Sequence, residues 1–85
     1  MKLGRRARLA HGVLGVMYEL RCSGEQECTS FRISVGVERK YGRLLGYGSL
    51  FWVLSALEKR GVLTSRWEAV VGERPRRKYY SLVVR

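Results

Sequence analysis

From Arg6 to Leu20 the apolar residues Leu9, Val13, Val16, Met17 and Leu20 recur three and four positions apart, the spacing that lines one face of an α-helix. A first helix over about 6–20 is therefore expected. Gly12 and Gly15 lie inside it, and each costs up to about 1 kcal/mol relative to Ala. Close packing against a neighbouring element is the expected compensation. The polar stretch Arg21 to Glu27, with Ser23 and Gly24, reads as a loop, after which Thr29 or Ser30 can cap a second helix. The segment that follows is ambiguous. Phe31, Ile33, Val35 and Val37 alternate as in a half-buried strand, whereas Ile33, Val37, Tyr41 and Leu44 fit a helical stripe. We read a helix over about 29–41, which gathers Arg32, Arg39 and Arg43 onto one side, with Lys40 nearby.

Gly42, Gly46 and Gly48 loosen the chain into a turn before a third helix over about 48–60, whose buried row is Leu50, Leu54 and Leu57 with Val53 alongside. Gly61 is placed to end this helix in a left-handed conformation, and Lys59 and Arg60 suit its negative dipole end. Leu63 to Val71 and Arg77 to Val84 are rich in β-branched and aromatic residues, and Gly72, Glu73, Arg74, Pro75 and Arg76 between them suit a hairpin tip. Trp67, Tyr79 and Tyr80 are expected in or beside the core of that ribbon. The predicted class is α+β: a winged helix-turn-helix of three helices followed by a two-stranded β-hairpin wing over about 62–84, forming a single domain across residues 1–85. A helix leading into a hairpin with an Arg- and Pro-bearing tip is an arrangement that grips a nucleic-acid duplex.

Charge sharpens that reading. Seventeen Lys and Arg face seven Glu and no Asp, a formal net charge of +10. Solubilising surfaces mix both signs and settle at smaller net charge, so an imbalance of this size favours a polyanionic partner. A hydrophobic content of 46% supplies a core and excludes a disordered basic tail. Cys22 and Cys28, with His11 the only histidine, give zinc no set of four ligands. Free thiols in a reducing compartment are expected, with a loop disulfide as the alternative. The segment from Leu9 to Leu20 carries His11 and Glu19, lacks a small-residue cleavage pattern and falls short of a membrane span. A cytoplasmic protein with no membrane partner is expected. Without a Cys–His or carboxylate pair at convincing spacing there is no set of groups for acid–base or nucleophilic chemistry, so neither an enzyme nor a cofactor is expected.

The stretch Gly48-Ser49-Leu50-Phe51, Leu54, Leu57-Glu58, Gly61-Val62-Leu63, Ser65-Arg66-Trp67-Glu68 and Arg76-Arg77-Lys78-Tyr79-Tyr80-Ser81-Leu82 resembles the PadR family of winged-helix transcriptional regulators. The resemblance covers roughly half the chain. It departs from the family pattern at Phe51-Trp52, where Tyr-Pro is common, and at Ser55-Ala56, where a Lys or Arg is usual. Family members continue past the wing into helices that pair two subunits and help form an effector pocket. For a chain ending at Arg85 the resemblance implies a minimal form without those dimerisation helices, leaving any homodimer to an unidentified surface.

The resemblance implies a sequence-preferring regulator of double-stranded DNA, with the third helix in the major groove and the wing on the backbone or minor groove. With the leucine row turned inward, helical geometry leaves Gly48, Ser49, Trp52, Ser55, Ala56 and Lys59 on or near the outer face. Ser49 and Ser55 suit base edges, Ala56 a thymine methyl, and Lys59 a phosphate. Trp52 fits either the sugar-phosphate backbone or a surface for a second chain. Arg74, Arg76 and Arg77 around Pro75 concentrate charge on a short loop, and Arg32, Arg39, Lys40 and Arg43 extend the footprint along the backbone. Two other functions fit the same charge: a docking module for an acidic protein, and an RNA-binding structural protein of a ribonucleoprotein.

Overall fold

The computed structural model describes residues 5–42, 47–70 and 72–83. The described elements are α1 (Arg5–Cys22), β1 (Cys28–Thr29), α2 (Ser30–Tyr41), α3 (Tyr47–Lys59), β2 (Leu63–Trp67) and β3 (Lys78–Leu82). In α1 the residues Val13, Val16 and Met17 are buried, and Leu9 and Leu20 pack half-buried around them. The helix runs past Leu20 to Cys22, so Arg21 and Cys22 are helical and not part of the loop expected there. It ends where Gly24 takes a positive φ of 97° and the Glu25 N–H donates to the Leu20 carbonyl at 2.9 Å.

The ambiguous segment is helical. Thr29 caps α2, its hydroxyl accepting from the Arg32 backbone N–H at 3.3 Å. Gly42 closes the helix in the left-handed region, its N–H donating to the Glu38 carbonyl at 2.8 Å. Ile33 and Val37 enter the core, while Tyr41 stays exposed with its ring lying against Gly12 of α1. Leu44, the last member of the expected stripe, lies outside the described residues. The two helices touch most closely at Gly36, and the glycines of α1 serve the same crossing: Gly12 meets the Tyr41 ring, and Gly15 the Lys40 ammonium.

Leu50, Val53, Leu54 and Leu57 bury the inner side of α3. Gly61, at a φ of 75°, turns the chain into β2, with the Val62 N–H reaching back to the Leu57 carbonyl at 3.0 Å. Glu58 reinforces this corner by accepting from the Ser65 hydroxyl at 2.9 Å.

The sheet has three antiparallel strands in the order β1-β3-β2, not the two of a bare hairpin. Cys28 pairs with Tyr80 and Thr29 with Tyr79. Two residues are too few to show an alternation, so this strand exists only through its long-range ladder. On the inner face Leu63, Cys28 and Tyr80 are buried. The ribbon is also shorter than expected. Its last ladder pair is Trp67 with Lys78, so 68–70 and Arg77 belong to the loop, while Val71 and Val84, the expected strand ends, lie outside the described residues. Trp67 is a further correction: it is 55% exposed and not in the core, because the ribbon here has run beyond the helices that cover its base. The architecture is a winged helix in which β2, β3 and the loop between them form the wing.

Candidate nucleic-acid interface

Because α3 buries positions 50, 53, 54 and 57, the residues at 48, 52, 55 and 59 fall on its opposite side at helical spacing. Gly48, Ser49, Ser55 and Lys59 are exposed there, Trp52 is 48% exposed, and Ala56 is half-buried at the margin. The structure thus brings the six candidate residues of this helix onto one exposed strip. It carries a single positive charge, Lys59 in the last turn.

The cations of α2 are organised by carboxylates that the spacing of the sequence did not reveal. Arg32 donates to Glu25 through Nε at 3.4 Å and Nη2 at 3.2 Å. Lys40 is paired with Glu19 of α1, and that hydrogen bond holds its ammonium above the usual lysine range. Arg39 has no carboxylate partner among the described residues. All three line an open groove between α1 and α2 floored by Val16, Leu20 and Gly36. Arg43 lies outside the described residues.

Five of the seven glutamates engage a cation among the described residues, the remaining pairs being Glu27 with Arg66, Glu58 with Lys78 and Glu68 with Arg74. Among the described residues, positive charge without a carboxylate partner stands at Arg8 and Arg21 of α1, Arg39 of α2, Lys59 and Arg60 at the end of α3, and Arg76 and Arg77 on the wing.

The wing itself interleaves cations and rings. The Arg76 guanidinium lies 5.8 Å and the Lys78 ammonium 5.7 Å from the centre of the exposed Trp67 ring, and Arg66 stacks 4.9 Å above Tyr79. Such contacts contribute on the order of 0.5–1 kcal/mol each at exposed sites and keep the arginine planes in place. Trp67, Arg66 and Lys78 were not singled out as functional residues from the sequence. The available signal was register, since a hairpin that ends at Trp67 sets Lys78 directly opposite it.

Among the described residues, no three His, Cys or Glu side chains gather into a metal site, and no helix is long and apolar enough to cross a membrane. Both cysteines are free, Cys22 exposed and Cys28 buried.

Solved structures share this geometry. A PadR-like transcription factor from Bacteroides fragilis superposes with a TM-score of 0.71 at 20% identity, over 93% of this chain and 69% of that one. A PadR family transcription regulator from Clostridium difficile gives 0.65 at 19%, over 87% and 70%, and one from Eggerthella lenta 0.62 at 24%, over 91% and 64%. No curated protein matches by sequence. The sequence pattern of the transcriptional regulator PadR-like family matches residues 18–84. As this match runs from the end of α1 through the whole wing, the chain belongs to the PadR-like family of transcriptional regulators.

Proposed function

We propose that the chain is a sequence-preferring regulator that binds double-stranded DNA. In this reading α3 enters the major groove with Gly48, Ser49, Trp52, Ser55, Ala56 and Lys59 toward the bases and their flanking sugars, and the wing, its tip built from Arg74, Arg76 and Arg77, meets the backbone or the adjacent minor groove. The observation that carries it is the exposed strip on α3 beside a wing tip of arginines, in a chain of net charge +10. Arg32, Arg39, Lys40 and Arg43 are the backbone anchors of the same footprint. The ion pairs of Arg32 and Lys40 are no obstacle, because surface pairs contribute only about 0–1 kcal/mol and a phosphate can replace the carboxylate.

Few charged groups face the bases, so each copy discriminates modestly and a second copy on a neighbouring half-site supplies the remaining affinity. Fluorescence anisotropy on duplex DNA over a salt series tests this. Six phosphate contacts give a log–log slope of about −5, and an affinity indifferent to salt would remove phosphate neutralisation from the account. Selection from random duplexes, with the mass of the complex measured, identifies the site and the number of copies. Arg76→Ala with Arg77→Ala should weaken binding to every duplex, whereas Ser55→Ala should change the preference among them. Tighter binding to a matched RNA would favour the ribonucleoprotein reading instead.

A further inference from the structure

A single carboxylate gathers the tip of the wing. Glu68, one residue beyond β2, has a side chain only 13% exposed, against 45% for Arg74. Its Oε1 accepts from Arg74 Nη1 at 2.6 Å and from the Arg77 backbone N–H at 2.9 Å. Its Oε2 accepts from Arg74 Nη2 at 3.2 Å and from the Tyr79 hydroxyl at 3.5 Å. The backbone of the same residue closes the loop: its N–H donates to the Arg77 carbonyl at 2.9 Å, and its carbonyl accepts from Arg76 Nε at 2.9 Å. All three arginines of the tip are therefore tied to one residue.

We propose that Glu68 is the positioning residue of the wing: it commits the Arg74 guanidinium to its own carboxylate and sets Arg76 and Arg77 in the geometry that meets a duplex. This rests on the duplex reading above and divides the arginines by task. The Arg74 fork onto the carboxylate is a charge-assisted, two-point contact of the kind that fixes orientation as well as distance. Arg76 and Arg77, which have no carboxylate partner among the described residues, keep guanidinium edges for phosphate, with the Arg76 plane braced against Trp67. A negative charge amid the cations of a DNA-facing tip would oppose binding if it served only as charge. Ordering the loop in advance offsets that opposition, because side chains already held need not be immobilised on binding.

The two accounts differ in sign. If Glu68 acts only through its charge, Glu68→Ala tightens duplex binding and steepens the salt dependence. If it positions the tip, Glu68→Ala weakens binding by about tenfold, the scale of immobilising one or two long side chains, and Glu68→Gln, which keeps acceptors for the Arg77 N–H, falls between the two. Arg74→Ala added to Glu68→Ala should then cost little more than the worse single change, whereas losses that add would make Arg74 an independent phosphate ligand and overturn the assignment.

Amide exchange at Arg77 decides the point without DNA. In protein shown to be folded by circular dichroism, exchange at Arg77 should quicken about tenfold or more in Glu68→Ala while the core amides of α3 do not change, and unchanged exchange there would overturn the proposal. Should the alanine variant not fold, Glu68→Gln, which loses the charged fork onto Arg74, carries the duplex-binding comparison instead: weaker binding supports the assignment and tighter binding overturns it. If the wild-type chain shows no salt-dependent binding to duplex, the DNA reading fails on its own, and the exchange result still shows whether Glu68 holds the tip.

Discussion

Gly36 of α2 faces Val16 of α1 so closely that a Cβ at position 36 would stand 2.5 Å from Val16 Cγ1. Val16 is buried and β-branched, with little rotamer freedom in a helix. Gly36→Ala therefore cannot be absorbed by swinging a flexible side chain aside. Overpacking of this kind costs about 1–3 kcal/mol, which outweighs a helix-propensity gain of up to about 1 kcal/mol. The variant should melt lower by several degrees, at about 4–8 °C per kcal/mol for a domain of this size. A melting temperature equal to or above wild type would contradict the helix crossing described here.

Gly48 offers the opposite case. It is exposed in the first turn of α3, and a Cβ there would meet nothing within 4 Å. Gly48→Ala should stabilise the fold by a few tenths to about 1 kcal/mol. If the same change weakens duplex binding, the duplex approaches that backbone closely. An unchanged affinity would remove Gly48 from the contact surface.

The two thiols should react at very different rates. Cys28 is buried, with its S–H directed at the Tyr80 carbonyl 3.8 Å away, and burial pushes the thiol up to about 11. Little thiolate exists there near neutral pH, and reagents cannot reach it. Cys22 is exposed at the end of α1. Brief alkylation of the native protein should add one group, at Cys22, and a second only in denaturant. Mass spectrometry showing both modified at equal rates would contradict the burial of β1.

Acid should loosen the wing before the core. The Arg74 guanidinium, aided by the Arg77 N–H, holds the Glu68 carboxyl below the ordinary value of 4.5. A depressed folded value means that the contribution is fully present above the unfolded value and is lost as pH falls through the folded one. Titrating downward from pH 5, Arg77 amide protection should fall in wild type, while the Glu68→Gln variant shows a flatter profile over the same window. Identical profiles would disconnect the carboxylate from the loop.

The helices were legible in the sequence because each buries a row at helical spacing: Val13, Val16 and Met17 in α1, Ile33 and Val37 in α2, Leu50, Leu54 and Leu57 in α3. Gly61 could be read as a stop, and the cap narrowed to Thr29 or Ser30, because these roles are local. What could not be read depends on residues far apart in sequence. The β1 strand is defined by partners fifty or more positions away. Trp67 looked like core because large rings usually are, and only the extent of the ribbon beyond the helices exposes it. The carboxylate partners of Arg32 and Lys40 come from the loop before α2 and from α1, so the charge count overstated how much of the α2 surface stands unneutralised.

Thr29 belongs at once to the ladder with Tyr79 and to the cap of α2, so the foot of the ribbon and the start of that helix form one rigid piece. On the other side, the corner at Gly61 and the bond between Glu58 and Ser65 fasten α3 to the same ribbon. In the duplex reading these ties set the reach between α3 and the foot of the wing. In the duplex reading it is the nucleic acid that adjusts its groove spacing, which favours targets containing pliant pyrimidine–purine steps at positions no side chain touches.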